Sequence, residues 1–213
     1  MSAAVAGSPA TDTDVETSNV DTVEPAQEVV EQEVQEPKPE EKEEPVVDNT
    51  PQPAFSDGQF IVGSDVQPGT YFVNTFSGCY WERQANFNGD LDSIISNELI
   101  SVTTGQSIVT ILESDKGFQS QNCGSWYKEA DVEKFGGVFT SIPDGTHFVG
   151  SQVAAGTYRT TSAGDSCYWE RMADFKGGVN SIIANDLGGS TIVTIAASDT
   201  GFKSTDCGSW EKQ

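Results

Sequence analysis

An internal repeat constrains this chain more than any other feature of its sequence. The segment DGQFIVGSDVQPGTYFVNTFSGCYWERQANFNGDLDSIISNEL, at residues 57–99, returns as DGTHFVGSQVAAGTYRTTSAGDSCYWERMADFKGGVNSIIANDL at residues 144–187. Each copy then continues through Ile-Val-Thr-Ile to Cys-Gly-Ser-Trp, which begins at Cys123 in the first copy and at Cys207 in the second. Self-similarity of this length predicts two copies of one structural unit rather than a single core.

The repeat divides the chain into four predicted segments. They are a leader at residues 1–56, a first repeat at 57–128, a linker at 129–143 and a second repeat at 144–213. The linker contains Phe135, Val138 and Phe139, which are enough apolar side chains to pack the two copies together.

The leader has the composition of a disordered segment. Its first 54 residues contain no Phe, Trp, Tyr or Cys, and residues 1–56 hold 14 acidic side chains against Lys38 and Lys42. Such a segment cannot bury enough apolar surface to offset the entropy of ordering, about 1–2 kcal/mol per residue. We expect an extended, acidic, Pro/Glu-rich coil.

The four cysteines predict one disulfide in each repeat. Each copy is only about 70 residues long, a size at which a covalent staple is common. Pairing Cys79 with Cys123 and Cys167 with Cys207 gives the same closed unit twice; the alternative is four reduced, buried thiols. Closing a loop of about 44 residues contributes roughly 4 kcal/mol on the chain-entropy model.

Disulfides indicate an oxidising compartment, but the N-terminus shows no export signal. Residues 1–14 lack the basic and apolar regions of a signal peptide. We therefore expect either a signal segment upstream of Met1 or release of the protein from a virus particle at lysis.

Short β-strands dominate the predicted secondary structure of each copy. In the first copy they are predicted at Gln59–Val62, Thr70–Asn74, Cys79–Ala85, Ser107–Leu112 and Cys123–Tyr127, which are rich in β-branched and aromatic residues. The apolar spacing around residues 91–99 also allows a short helix. The predicted fold class is all-β, with two tandem antiparallel sandwich or barrel domains. Gly117 and Gly201 are expected in hairpin turns at a left-handed position.

The Cys-Tyr-Trp-Glu-Arg strand separates a core face from an outer face. Alternation along a strand places Trp81 beside the disulfide and Tyr80 and Glu82 on the opposite face. Aromatic residues that recur in both copies are the candidate ligand contacts, for a sugar or a protein: Tyr80, Trp126, Tyr168 and Trp210. The alternative is that Cys-Gly-Ser-Trp simply closes the core.

No catalytic motif is found, so we expect a protein that is not an enzyme. The single histidine, His147, aligns with Phe60, which indicates a structural position for an apolar or aromatic side chain. Carboxylates that recur in both copies could serve glycoside hydrolysis or calcium binding, but two of the pairs adjoin glycine and are typical of turns. These acids are Asp57/Asp144, Glu82/Glu170, Glu98/Asp186 and Asp115/Asp199. No metal site or cofactor is predicted.

Charge and hydropathy exclude two classes of partner. The chain carries a formal net charge of −22, and the repeats themselves remain acidic, which argues against nucleic acid. No apolar run is long enough to form a membrane-spanning helix.

The shared frame resembles a known domain family. The pattern DG..VG.D..PGTY, then C.W.R, II.N, TI...D.GF and CG.W, over residues 57–213, is similar to a domain of secreted, often lipid-anchored proteins of high-GC Gram-positive bacteria and of some of their phages, frequently in tandem. The resemblance implies a cell-envelope or virion location and no assigned activity.

Three functional hypotheses follow from these observations. The first is a non-enzymatic extracellular or cell-envelope protein whose two repeats display a binding surface. The partner of that surface would be an unknown protein or a cell-wall glycan. The second is a virion accessory protein of a capsid or tail. The third, a carboxylate-based cell-wall hydrolase, predicts a cleft that holds two acids about 5–10 Å apart.

Overall fold

The structure is a computed structural model that describes residues 50–76, 78–100, 104–160, 164–189 and 191–213. Residues 1–49 of the predicted leader, 1–56, lie outside the described residues. Its last part belongs instead to the first repeat, because Phe55 pairs with Trp126 and its ring packs into the core. The leader therefore ends earlier than predicted.

The first repeat is a sandwich of two antiparallel sheets. Strand β1 runs through Gly58–Ile61, β2 through Gly69–Phe76, β3 through Tyr80–Gln84, β4 through Ile94–Leu99, β5 through Thr104–Ile111, β6 through Gly117–Gln121 and β7 through Tyr127–Lys128. One sheet has the order β1-β6-β3-β4 and the other the order β5-β2-β7. Both sheets are antiparallel throughout.

The second repeat has the same design. Its strands are β8 at Ser141–Ile142, β9 at Gly145–Phe148, β10 at Gly156–Thr160, β11 at Tyr168–Met172, β12 at Ile182–Leu187, β13 at Ile192–Ile195, β14 at Gly201–Thr205 and β15 at Trp210–Lys212. The two sheets have the orders β9-β14-β11-β12 and β13-β10-β15-β8. The prediction of two tandem all-β sandwiches, each with one disulfide, is confirmed.

Each core forms around its disulfide and two tryptophans. Cys79 is bonded to Cys123 and Cys167 to Cys207, as predicted. In the first repeat, Trp81 and Trp126 pack with Phe118 between the sheets. Trp169, Trp210 and Phe202 occupy the equivalent positions in the second. The alternation predicted for the Cys-Tyr-Trp-Glu-Arg strand is therefore the one observed.

An ion pair fixes the tight turn between β5 and β6 in the first repeat and between β13 and β14 in the second. Arg83 donates two hydrogen bonds to Asp115, whose Oδ2 also accepts from the backbone N–H of Leu112. Arg171 and Asp199 repeat this arrangement. Asp115 thus has the turn-capping role that its sequence context predicts.

The structure corrects the role predicted for two glycines. Gly117 and Gly201 do not have a positive φ; they begin strands β6 and β14. A Cβ on Gly117 would lie 2.5 Å from the ring of Phe87, and one on Gly201 would lie 2.4 Å from the ring of Phe175. These positions hold glycine because an aromatic ring covers them.

Three other details differ from the predictions. The strand expected at Cys123–Tyr127 is limited to the single bridge at Trp126 and the short β7, because Asn122 and Gly124 adopt positive φ on either side of the cysteine. The short helix allowed near residue 91 is one 3-10 turn, Leu91–Ser93, followed by strand β4. Asp57 does not cap its own turn: it accepts from the backbone N–H groups of Cys123 and Gly124.

The two repeats pack against each other through a third apolar cluster. The first repeat contributes Phe72 and Ile108, the segment between the repeats contributes Val132, and the second repeat contributes Phe148, Met172 and Phe175. The intervening 3-10 helix, Glu129–Phe135, places Phe135 against Phe72 and Tyr127. The linker joins the copies through Val132 and not through the residues from which this role was predicted: Phe135 packs on the first repeat alone, Phe139 packs on the core of the second, and Val138 is exposed.

Candidate functional site: the cleft between the repeats

The contact between the repeats is asymmetric. The first repeat contributes one side of its sandwich, where strands β4 and β5 lie at the sheet edges. The second repeat contributes the outer face of its β9-β14-β11-β12 sheet, which carries Phe148, Met172 and Lys203. Strands β5 and β9 are the main backbone neighbours across this contact.

A cavity of about 290 Å³ lies between these two surfaces. We call it the inter-repeat cleft. Its lining combines charged, polar and apolar side chains, and it includes two acids, one lysine and one tryptophan. The lining residues are Trp81, Ser96, Asn97, Glu98, Ile108, Thr146, Glu170, Met172, Phe175, Gly177, Gly178, Val179, Ser181, Ile182 and Lys203.

An ion pair between Glu98 and Lys203 connects the repeats at this cleft. The Lys203 Nζ atom lies 2.5 Å from Glu98 Oε1. Glu98 Oε2 accepts hydrogen bonds from the indole Nε1 of Trp81, at 3.1 Å, and from the Ser107 hydroxyl. Trp81 Nε1 also donates to Ser107 Oγ at 2.9 Å. The carboxylate of Glu98 is thus fixed by three donors.

These contacts set the protonation states of both charged groups. Burial alone would raise the pKa of Glu98, but Lys203 and the hydrogen bonds from Ser107 and Trp81 outweigh it, so that its pKa lies below the ordinary value. Burial would likewise lower the pKa of Lys203, yet Glu98 raises it above its ordinary value. Both groups are therefore charged at neutral pH.

Backbone and amide contacts hold the walls of the cleft close together. Gln106 of β5 donates to the carbonyl oxygen of Thr146 and exchanges hydrogen bonds with the side chain of Gln152. The backbone N–H of Thr110 donates to the carbonyl oxygen of Phe175 at 2.8 Å. Arg83 donates to the carbonyl oxygen of Lys176.

Glycine permits the close approach at two points of this contact. A Cβ on Gly145 would lie 2.7 Å from the backbone nitrogen of Gln106, and one on Gly177 would lie 1.9 Å from Ser96 Oγ. Both glycines also have a positive φ, which disfavours any other residue. The equivalent positions of the first repeat, Gly58 and Gly89, also hold glycine at positive φ, so the backbone conformation explains these glycines in both copies and the close approach makes use of them.

The structure separates the four aromatic residues predicted as candidate ligand contacts. Trp126 and Trp210 have 0% exposed surface, which corrects their assignment: they are core residues behind the disulfides. Tyr80 and Tyr168 are half-buried on outer sheet faces, where each hydroxyl donates to the neighbouring Glu82 or Glu170. The tyrosines remain candidate contacts.

His147 is a buried structural residue. Its ring is 3% exposed, contacts Phe139 edge-to-face, and lies 2.9 Å through Nε2 from the carbonyl oxygen of Pro143. Burial lowers the pKa of His147 to about 4, although the contacts with the backbone at Pro143 and Asp144 favour the charged form. The ring is therefore neutral at neutral pH.

A wider groove beside the first disulfide is a weaker candidate site. It encloses about 560 Å³ around Asp57, Cys123 and Phe135. The carboxylate of Asp57 there is already engaged by backbone N–H groups and by Ser120. Among the described residues, no group of three or more His, Cys, Asp or Glu side chains is placed to hold a metal ion.

Sequence reasoning missed the inter-repeat cleft because it compared the copies only for what they share. The cleft depends on positions where they differ: Lys203 aligns with Gln119, Met172 with Gln84, and Glu98 with Asp186. A side chain that changes character between two otherwise similar copies was the available signal.

A small two-sheet sandwich, stapled by a disulfide and repeated in tandem, is typical of domains that work in an oxidising environment. The chain belongs to the Rv1352-like extracellular domain family, which matches it at residues 52–127 and again at residues 140–211. The family places the protein outside the cytoplasm. No curated protein and no solved structure matches the chain. In the described parts of the chain, no helix is long and apolar enough to span a membrane.

Proposed function

We propose that this is a non-enzymatic binding protein that takes a short, hydroxyl-rich ligand, such as a cell-wall saccharide, in the inter-repeat cleft. The observation that carries the proposal is the placement of the Glu98–Lys203 ion pair in the wall of a cavity of about 290 Å³. Ligand sites commonly combine an apolar lining with a few fixed polar groups.

The lining of the cleft suits a sugar ring. Val179, a lining residue that is 82% exposed, provides apolar surface for the C–H face of a ring, while Asn97 and Glu170 provide groups that can bond hydroxyls. Two acids and one lysine leave the cleft net negative, which disfavours an anionic ligand. We therefore expect a neutral saccharide, or one that carries an amine.

The electrostatics of Glu98 support binding rather than hydrolysis. A carboxyl-based glycosidase needs one acid that is protonated near neutral pH, which requires a raised pKa. The pKa of Glu98 is instead lowered, and its oxygens are occupied by Lys203, Ser107 and Trp81. Glu98 is thus prepared to hold a charge and not to donate a proton.

The indole resonances of the four tryptophans give a direct test. We expect a β-1,4-linked N-acetylglucosamine tetramer, titrated into the full chain, to shift the Nε1–H signal of Trp81 in a ¹H–¹⁵N spectrum. Trp126 should not respond, because it is fully buried away from the cleft. An unchanged Trp81 signal at millimolar saccharide would contradict the proposal, and released shorter sugars would show catalysis.

A matched pair of variants sharpens this test. Lys203→Gln removes the lysine from the cleft and should weaken saccharide binding about tenfold or more. The control, Gln119→Lys, makes the reverse change at the aligned position of the first repeat, outside the cleft, and should leave binding unchanged. Equal saccharide affinities of the two variants would show that the ligand binds outside the inter-repeat cleft.

A further inference from the structure

The contact within the chain joins two different kinds of surface, a side of one sandwich and an outer sheet face of the other. One surface of each kind is left uncovered among the described residues, at opposite ends of the molecule. The first repeat uses its side for the contact, so its own outer sheet face stays open; we call this the front face, which includes Ile61 and Phe87. The second repeat uses its outer face, so its own side stays open; we call this the rear side, which includes Arg159 and Thr194. The front face and the rear side correspond, position by position, to the two surfaces already joined within the chain.

The front face of the first repeat carries exposed apolar residues. The equivalent residues of the second repeat are buried in the contact between the repeats. Phe87 is 51% exposed, whereas its counterpart Phe175 is 3% exposed beneath the first repeat. Ile61 is 53% exposed, whereas its counterpart Phe148 is 3% exposed. The Phe87 ring rests on Gly117 in the same way that Phe175 rests on Gly201. The docking geometry is thus preserved on a surface that nothing covers within the described residues.

The rear side repeats the hydrogen-bonding groups of the inner contact. Thr110 lies in edge strand β5, opposite Thr70, and its backbone N–H donates to the carbonyl oxygen of Phe175. Thr194 lies in edge strand β13, opposite Thr157, in the same position of its own ladder. The backbone N–H of Thr194 therefore points outward, where a second Phe87 carbonyl could accept.

A second donor on the rear side follows the same logic. Arg83 is 2% exposed and reaches across the inner contact to the carbonyl of Lys176. Its counterpart Arg171 makes the same bonds to Asp199 but is 23% exposed. The position on the front face that matches Lys176 is Asn88, which is exposed.

At one place, two differences between the repeats would replace an apolar contact by a contact between charged side chains. Within the chain, Phe72 packs against Phe148 with ring centroids 6.2 Å apart. On the open surfaces, Arg159 replaces Phe72, and Ile61 replaces Phe148. The carboxylate of Asp65 accepts from the backbone N–H of Ile61 at 2.9 Å, so an acid stands beside the position that the arginine would reach. Both charged residues are exposed.

We infer that a second copy of this chain docks its rear side on the front face, in the geometry of the inner contact. Because the two surfaces differ, the contact is heterologous and produces chains of copies end to end rather than closed pairs. The contact is weak, since the rear side carries Glu211 in place of Tyr127 and Arg159 in place of Phe72. The inference is independent of the proposed saccharide ligand.

Complementation between two variants tests this directly. Phe87→Glu disables only the front face, and Arg159→Glu disables only the rear side. We expect the unmodified full chain to gain average mass with concentration, up to about 1 mM, in sedimentation velocity. The ionic strength should be about 0.15 M or higher, because like-charged copies repel at lower salt. Each variant alone should stay monomeric.

Mixing the two variants distinguishes the proposed contact from other associations. An equimolar mixture should form dimers and nothing larger, because one copy retains a rear side and the other a front face. Circular dichroism should show that both variants keep the fold, since both positions are exposed. Monomers in the unmodified chain at about 1 mM, or a mixture that behaves like its separate components, would overturn the inference.

Discussion

The two repeats have nearly the same backbone but different interior polar contacts, and the difference follows from which surface each one uses. In the first repeat, Trp81 Nε1 donates to Glu98 and Ser107. In the second, the equivalent Trp169 Nε1 is buried without a hydrogen-bond partner among the described residues. Asp186, which aligns with Glu98, is one methylene shorter. The network is complete only where the other repeat supplies Lys203, so the polar contacts inside each repeat match the surface that the repeat uses.

The largest difference that mutation should reveal concerns the buried ion pairs. Arg83→Ala leaves the fully buried carboxyl group of Asp115 without its ion-pair partner, and should cost toward the upper end of about 3–5 kcal/mol of unfolding free energy. Arg171→Ala should cost markedly less, because that pair is partly solvated. Urea unfolding followed by tryptophan fluorescence measures both. Equal losses would show that solvent access does not separate the repeats.

Removal of the disulfides should affect the two repeats alike. The bonds close loops of 44 and 40 residues, and the chain-entropy model gives about 4 kcal/mol for each. We expect Cys79→Ser with Cys123→Ser, and Cys167→Ser with Cys207→Ser, to lower the free energy of unfolding by similar amounts. A clear inequality in urea unfolding would show that one bond also acts through the native packing of its repeat.

His147 should make the second repeat sensitive to acid. Its pKa is about 4 in the folded protein, below the ordinary value of 6.5, so the unfolded chain binds the proton more readily. Stability contributed by the neutral ring is full above pH 6.5 and falls by about 3 kcal/mol as the pH drops to about 4. His147→Phe, which copies Phe60, should remove this part of the pH dependence. A parallel loss in the variant and in the unmodified chain would contradict it.

The inter-repeat ion pair should have the smallest effect on stability. Lys203→Gln should cost about 1 kcal/mol, while Gln119→Lys in the first repeat should be nearly neutral. Because the folded-state pKa of Glu98 is lowered, the contribution is present above its ordinary pKa of 4.5 and is lost as the pH falls through the folded pKa. Unfolding of Lys203→Gln and of the unmodified chain over a series of pH values measures it: the difference seen at pH 7 should shrink as the pH falls below 4.5.

Most of the fold could be predicted from the alignment of the two copies. The recurring cysteines gave the disulfides, and the alternation around Trp81 gave the core face, because both are determined within one repeat. The alignment starts at Asp57 and Asp144, where the copies first look alike, and so it missed the closing contacts of Phe55 and Ile142. Phe and Ile perform the same task there without resembling each other.

The inter-repeat cleft could not be predicted in the same way. Lys203 looks like an ordinary surface residue on a polar strand, and Phe175 looks like its exposed counterpart Phe87. Their roles depend on how one sandwich lies on the other, which no pattern within a single repeat determines. Only the differences between aligned positions carry that information.

The pairing of the first and last strands of a repeat has a mechanical consequence. Ser141 lies opposite Glu211 and Ile142 opposite Trp210, so the chain enters and leaves the second repeat side by side. Tension on the two ends would peel these short antiparallel strands apart one pair at a time, which requires little force.

Peeling cannot continue past the Cys167–Cys207 bond, because the loop that it closes cannot be drawn out. Glu170, Met172, Phe175 and Lys203 all lie inside that loop, and Trp81, Glu98 and Ile108 lie inside the loop of the first repeat. Under tension the ends of the repeats would yield first, and the disulfides would shield these walls of the cleft from the load.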